Sequence, residues 1–368
     1  MNLPHFILPT AIASLALLTT GISSRGQSVN ISLSTVGDPN NAADTVQADV
    51  GGGTYGSVPY SFNIGTYDVT ISQYCTFLNA VATYSDPYGL YNTAMESMGN
   101  DSTISGVAGI QQTLSLGTYS YSVSGGSDND PVTQVSWFDA VRFCNWLQNG
   151  QLTITGSLGE TVQTTEAGAY ALNGDTTNGM ETASPSAVWR LPTEDEWYKA
   201  AYYSPNYGGP GVAGYYAYAT QSDTVPGNSI SGGSNQANYF GGNGYAVTQS
   251  PDERSDTNYL TATGTFSTSA SYYGTYDQNG DVYQWNDASV VVDSGTYRGL
   301  RGGAWSTSSD VMQSSSRAYD NPADVSPYTG FRVVETAGAV PEPNSLMLIP
   351  VGALGLWAMR RKRARQKA

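Results

Sequence analysis

The sequence predicts a single loop-rich domain that mixes short helices with short strands, carried between two terminal address segments. Three observations lead there. With 368 residues, 39% of them hydrophobic and 12% charged, the chain can bury a substantial core. Its periodic stretches are short, some with helical and some with strand spacing. Between them, 99–130, 150–187 and 204–235 are rich in Gly, Ser, Thr, Asn and Tyr, the composition of long loops decorating one domain rather than of linkers between two.

In chain order, Phe6–Leu18 is an apolar run followed by small residues, the pattern of a secretory signal over 1–27. A polar lead-in occupies 28–57 and includes Gly51-Gly52-Gly53. Ser61–Ile71 alternates and predicts a strand, while Val69–Ala82 carries Tyr74, Phe77, Leu78 and Val81 on one helical face. Trp137–Leu147 predicts a second helix with Ala140, Phe143, Cys144 and Leu147 in register and Asp139 in its first turn, where a carboxylate suits the helix dipole. In Arg190-Leu191-Pro192-Thr193-Glu194-Asp195-Glu196-Trp197, Thr193 and Glu196 form a capping box for a helix running on through Lys199 and Ala200. That position explains Glu194, Asp195 and Glu196 structurally, and a helix N-terminus opposes the raised pKa a catalytic acid needs. Further on, Asp277 to Trp285 sets oxygen-bearing side chains and a glycine ahead of two aromatics, and Arg298 to Trp305 sets glycines between arginine and tryptophan. Gly330 to Val334 predicts the closing strand. At the end, Val340-Pro341-Glu342-Pro343 precedes an apolar stretch within 345–359, and Arg360-Arg361-Lys362-Arg363 follows it, predicting a short transmembrane anchor with a cytoplasmic C-terminus.

Charge is segregated. Six of the 15 basic residues lie in the last nine positions, leaving eight between 28 and 341 against 29 acidic ones. So acidic a body repels phosphate backbones, and no nucleic-acid partner is expected. The one histidine, His5, falls in the signal, so a mature chain has neither a His-based triad nor a three-His metal site.

Six segments in order then carry a resemblance: Phe62-Asn63-Ile64-Gly65 with Val69-Thr70, Val135-Ser136-Trp137 with Asp139-Ala140, Arg190 to Trp197, Gly280-Asp281-Val282-Tyr283-Gln284-Trp285, Arg301-Gly302-Gly303-Ala304-Trp305, and Gly330 to Val334. Over 58–335 the chain resembles the formylglycine-generating enzyme, or sulfatase-modifying factor, family. That resemblance implies one irregular α+β domain related to the C-type lectin fold. The tail over 336–368 resembles the PEP-CTERM sorting signal of exopolysaccharide-making Gram-negative bacteria. It implies recognition by an exosortase, with the protein anchored in the membrane or released to the cell surface or matrix.

Formylglycine-generating members carry a cysteine pair, which binds copper, between the RGG and GFR segments. Ser306 to Thr329 contains none, and Thr307 and Met312 stand near the expected positions. A hydroxyl and a thioether do not replace two thiolates, and the iron-dependent branch uses histidines absent here, so neither copper nor iron is supported. The family's calcium positions carry to Asp277, Gly280, Val282 and Gln284, with Gln284 standing where the family has glutamate. A second set carries to Asn238, Tyr239, Asp256 and Asn258. Turns whose side chains bond their own backbone explain the same residues without a metal.

Cys75 and Cys144 lie on predicted helices, either as a disulfide or as buried thiols. Arg298, Arg301, Arg317 and Arg332 either pair with internal carboxylates or face an acidic ligand. A ligand site, if present, is expected beside the RGGAW segment with Trp305, Tyr283 and Arg301 as contacts, core packing being the alternative. The expected function is a non-catalytic binding module for exopolysaccharide or surface proteins. The alternative is a copper or non-haem-iron oxidoreductase with relocated ligands.

Overall fold

The computed structural model describes residues 28–99, 108–153, 159–293 and 295–336. The signal expected over 1–27, with His5, and the anchor expected over 345–359 lie outside the described residues; among those described, no helix is long and apolar enough to cross a membrane. The architecture is mixed: three α-helices and mostly short strands separated by long irregular stretches.

The polar lead-in is part of the folded body. Its strand β1 (Leu33–Val36) pairs antiparallel with β2 (Phe62–Gly65), register Leu33↔Gly65. The strand expected over 61–71 is therefore shorter, and Thr70 caps helix α1 (Ile71–Val81) through a capping box with Gln73. Strands β3 (Gly109–Ser115) and β4 (Thr118–Ser124) form a hairpin in a region expected to be loop. Helix α2 (Trp137–Gln148) is capped by Ser136 with Asp139 at the third position, and it is buried on every face from Trp137 to Leu147 rather than on one. Its polar positions are satisfied internally. Arg142 pairs with Glu166 at 2.7 Å, and the Asn145 amide donates to the Thr165 and Tyr170 carbonyls.

Helices α1 and α2 meet through aromatic rings: Phe77 lies 5.4 Å from Phe143 and 5.3 Å from Trp146, and Phe143 lies 5.5 Å from Phe331. These rings belong to the largest hydrophobic cluster, which also holds Trp285 and Trp305. Helix α3 (Glu194–Tyr202) follows the two-residue strand β5 (Trp189–Arg190), with the Thr193/Glu196 box in place. Two small hairpins follow, β6 (Tyr203–Ser204) with β7 (Gly214–Tyr215) and β8 (Phe240–Gly241) with β9 (Gly244–Tyr245).

The C-terminal part supplies a second four-stranded sheet, ordered β12 (Ala318–Asp320), β11 (Gly295–Arg301), β10 (Tyr283–Val292), β13 (Thr329–Phe331). The expected closing strand is split. Residues 329–331 pair in parallel with β10, and β14 (Val334–Glu335) leaves to sit between β2 and β5 in the first sheet. Glycine is required at this crossing, because a Cβ on Gly330 would stand 2.5 Å from the Val132 carbonyl oxygen. Arg332 lies at the step between the sheets.

Candidate functional site

Arg332 is fully buried and organises what surrounds it. Its Nε donates to Gln284 Oε1 at 2.6 Å, Nη1 to the Gly65 carbonyl at 2.9 Å, and Nη2 to the Tyr276 carbonyl at 2.8 Å and Asp68 Oδ2 at 3.3 Å. The Gln284 amide nitrogen donates to the Asp277 carbonyl and to Asp68 Oδ2, and its oxygen also accepts from Trp197 Nε1 at 2.7 Å. Burial pushes the Asp68 carboxyl up to about 7 against the pull of Arg332.

Of the positions carried over for calcium, Gln284 and the Asp277 carbonyl sit inside this network, and the polar side chains of both sets already have protein partners. Gln284 Oε1 already faces a guanidinium and an indole N–H, so a dication there would have to displace the Arg332 charge. Asp277, at φ +59°, turns Oδ2 to the Gly264 N–H at 2.6 Å. Gly280, at φ +75°, packs so closely on Asn238 that a Cβ would meet its carbonyl at 2.0 Å, and Val282 is core. In the second set Asn238 donates to the Tyr259 carbonyl and to Asp281, and the Tyr239 carbonyl accepts from Asn228. Asn258 donates to Asp130, while Asp256 is on the surface beside Arg254. Among the described residues no group of three or more His, Cys, Asp or Glu is placed to hold a metal ion.

The sequence reading missed Asp281. Its carboxylate is 1% exposed, has no cationic partner among the described residues, and accepts from Asn238 Nδ2, the Thr261 N–H and the Thr261 hydroxyl. Burial raises its pKa well above the ordinary value, with Asp277 adding to the effect. The signal available was its φ of +60°, a turn position favouring Asp or Asn, which no residue pattern in the sequence isolates.

Beside the RGGAW segment the structure corrects two of the three expected contacts. Trp305 is 1% exposed and stacks on Tyr259 at 4.9 Å, so its ring is core. Arg301 is equally buried and gives Nε and Nη2 to Glu194, whose other oxygen takes Arg317 Nη2. Tyr283 alone is half-buried; its main-chain N–H donates to the Tyr328 carbonyl, and like Tyr245 and Tyr328 it packs against the main core. Tyr245 lies 5.8 Å and Tyr328 5.2 Å from the Trp305 ring.

Thr307 and Met312 are structural. The Thr307 hydroxyl donates to the Ala304 carbonyl and accepts from its N–H, both at 2.9 Å. Met312 is buried with Tyr218, Ala237 and Tyr239. The remaining arginines are internal partners: Arg298 of Asp287, with its guanidinium 3.9 Å over the Trp137 ring, and Arg332 of Asp68. Glu196 pairs with Arg190 at 2.6 Å, and Asp195 accepts from the Gly56 N–H, so the three acids of the α3 N-terminus are all used. Both cysteines are buried free thiols. Burial pushes Cys75 up to about 11 and Cys144 well above its usual value, with Asp128 adding for the first and Asp287 for the second.

The sulfatase-modifying factor enzyme 1-like domain matches residues 54–337. The chain belongs to that family. The PEP-CTERM protein-sorting motif matches residues 339–363 of this sulfatase-modifying-factor-like protein, which implies export in a Gram-negative bacterium, exosortase processing and membrane association. No curated protein matches the sequence. Among solved structures the chain is similar to the Treponema denticola variable protein 1, at 18% identity and a TM-score of 0.46, over 85% of this chain and 98% of that one. It is also similar to CarF (19%, 0.42, covering 83% and 98%) and to PvdO from Pseudomonas aeruginosa (16%, 0.42, covering 83% and 92%).

Proposed function

We propose that this sulfatase-modifying-factor-like domain is a non-catalytic binding module on a C-type-lectin-like scaffold, exported and displayed at the cell surface or in the matrix. The supporting observation is the geometry of the interval that holds the family's thiols. Its two candidate replacements, Thr307 and Met312, are spent on a turn and on core packing. Beside the Trp305 ring lie the half-buried Tyr245 and Tyr328, and Tyr283 packs on the same core; such rings supply contact area at low entropic cost. Exopolysaccharide and surface proteins are the partners that fit the address. The relocated-thiol alternative needs Cys75 and Cys144 as thiolates, whereas both thiols are buried with raised pKa and face different neighbours.

The test is reconstitution of the full-length protein with Cu(I), and separately with Fe(II), in the presence of oxygen and a cysteine-containing sulfatase peptide. No conversion of the peptide cysteine to formylglycine is expected by mass spectrometry. Conversion that needs the metal overturns the reading.

A further inference from the structure

A cleft of about 450 Å³ opens between the residues that lead into β1, the turn before α1, and the loops at Asn129 and Thr263. Ligand sites commonly fall in this size range. It shares no lining residue with the aromatics around Trp305.

Its lining divides into spent and unspent groups. Thr70 and Gln73 are committed to the α1 capping box, and the Gln73 amide nitrogen also donates to the Asn30 carbonyl. The side chains of Ser32, Ser72, Asn129 and Thr263 make no hydrogen bond to protein among the described residues, although backbone bonds hold their positions. Thr263 N–H donates to the Asn129 carbonyl at 2.9 Å, and Ser72 N–H to the Asp128 carbonyl at 3.1 Å. Three hydroxyl-bearing residues and a carboxamide, from four separate segments, therefore line one space.

Asp68 also lines the cleft, and one of its oxygens is short of a donor. It is 2% exposed; Oδ2 takes Arg332 and Gln284, while Oδ1 is buried and, among the described residues, has no donor from another residue. A buried acceptor short of a donor is destabilising, and a hydroxyl or an ordered water delivered from the cleft would supply the missing bond. Tyr67 adds a fixed flat surface: it is only partly buried and lies nearly parallel to Tyr276, with centroids 5.4 Å apart and planes at 24°. Lining of this kind suits a ligand with many hydroxyls and an apolar C–H face. The charge pattern disfavours an anion, since no basic residue lines the cleft, Arg332 beside it is already paired with Asp68, and the surrounding body is acidic.

We infer that the cleft floored by Asp68 and rimmed by Tyr67, Asn129 and Thr263 binds a short stretch of uncharged polysaccharide. The inference rests on the binding-module reading and deepens it by naming a ligand class and a place.

Saturation-transfer NMR on the full-length protein in detergent tests it, with cellohexaose, laminarihexaose and mannohexaose as neutral probes and hexagalacturonate as the anionic contrast. At least one neutral hexasaccharide should bind. Its Kd should rise about tenfold in both Asn129→Ala and Thr263→Trp, the first removing an amide partner and the second filling the cleft, and stay unchanged in Leu116→Ala on the exposed hairpin tip. Circular dichroism on each variant separates lost binding from lost folding, and Asn129, which is exposed, is the position least coupled to the fold. Absence of neutral-sugar binding, preference for hexagalacturonate, or binding that survives both cleft variants overturns the inference. Loss in Tyr283→Ala alone also overturns it while leaving the binding-module reading standing, whereas formylglycine formation in the previous test removes both.

Discussion

Gln284 Oε1 accepts from Arg332 Nε at 2.6 Å, and this contact puts a positive charge against the oxygen expected to meet a calcium ion. Because Trp197 Nε1 shares the same oxygen, Gln284 joins α3, β10 and the crossing segment at 332. Gln284→Ala leaves a buried guanidinium N–H and an indole N–H without an acceptor, a loss of about 2–4 kcal/mol. Chemical denaturation should show it as a lowered midpoint. Thermal melting of the wild type, run with calcium and with a chelator, should give the same midpoint in both. A clear fall on chelation would show that a cation competes with Arg332 after all.

Glu194 is held between Arg301 and Arg317, and Tyr55 lies within 5.2 Å of both guanidinium carbons. Glu194→Ala would strand two buried cations, at a cost of about 3–5 kcal/mol. Glu194→Gln keeps an acceptor and should cost less. Both variants should also loosen the lead-in, because Asp49 bonds Arg317 N–H and Tyr198 bonds Asp44 from the same region. Proteolysis between residues 41 and 57 should therefore rise in step with the loss of stability.

The fold and the site were legible in the sequence to very different degrees, for physical reasons. The Thr193/Glu196 capping box is local and marks a helix start that the structure keeps, whereas the first two helices rest on apolar spacing, without the boxes at Thr70 and Ser136 that the structure shows. The hairpin at 109–124 is legible in part yet reads as loop: Thr118–Ser124 alternates Tyr119, Tyr121 and Val123, which pack on the core, with Ser120 and Ser122, which are exposed, but its Gly, Ser and Thr content and the solvent-facing end of the first strand give it a loop's composition. The expected one-sided α2 is buried all round, since its polar positions Arg142 and Asn145 find partners twenty or more residues away in a stretch that reads as loop. Trp305 and Arg301 were misplaced for the same reason: burial of a tryptophan or an arginine depends on partners such as Tyr259 and Glu194 that no local pattern points to. The cleft at Asp68 is assembled from separate segments, so its residues look unrelated along the chain.

Asp68 and Asp139 should set part of the pH dependence of stability. Burial pushes both carboxyls up to about 7 from the usual 3.8, opposed by Arg332 for Asp68 and by the Ser136 hydrogen bonds for Asp139. A carboxyl that binds its proton more tightly in the folded state adds stability below the unfolded pKa and loses that contribution as pH rises through the folded one. The contribution is full below about pH 4 and gone above about pH 7. Asp139→Asn keeps an oxygen for the Ser136 cap while removing the titration. Its stability relative to wild type should therefore rise between pH 4 and pH 8; a flat difference curve counts against the assignment.

Trp305 and Tyr283 separate stability from binding. Trp305 is enclosed by Tyr245, Tyr259 and Tyr328. Trp305→Ala opens a cavity where three rings meet and should cost about 3–5 kcal/mol, with every activity lost in proportion to the unfolded fraction. Tyr283 is half-buried at the start of β10, and its main-chain N–H keeps the bond to the Tyr328 carbonyl whatever its side chain is. Tyr283→Ala should therefore cost much less stability. If Tyr283 belongs to a docking face, that variant weakens capture of the surface partner while its melting curve stays close to wild type. Trp305→Ala cannot show that separation, because the same ring that would weaken the face also holds the core beneath it.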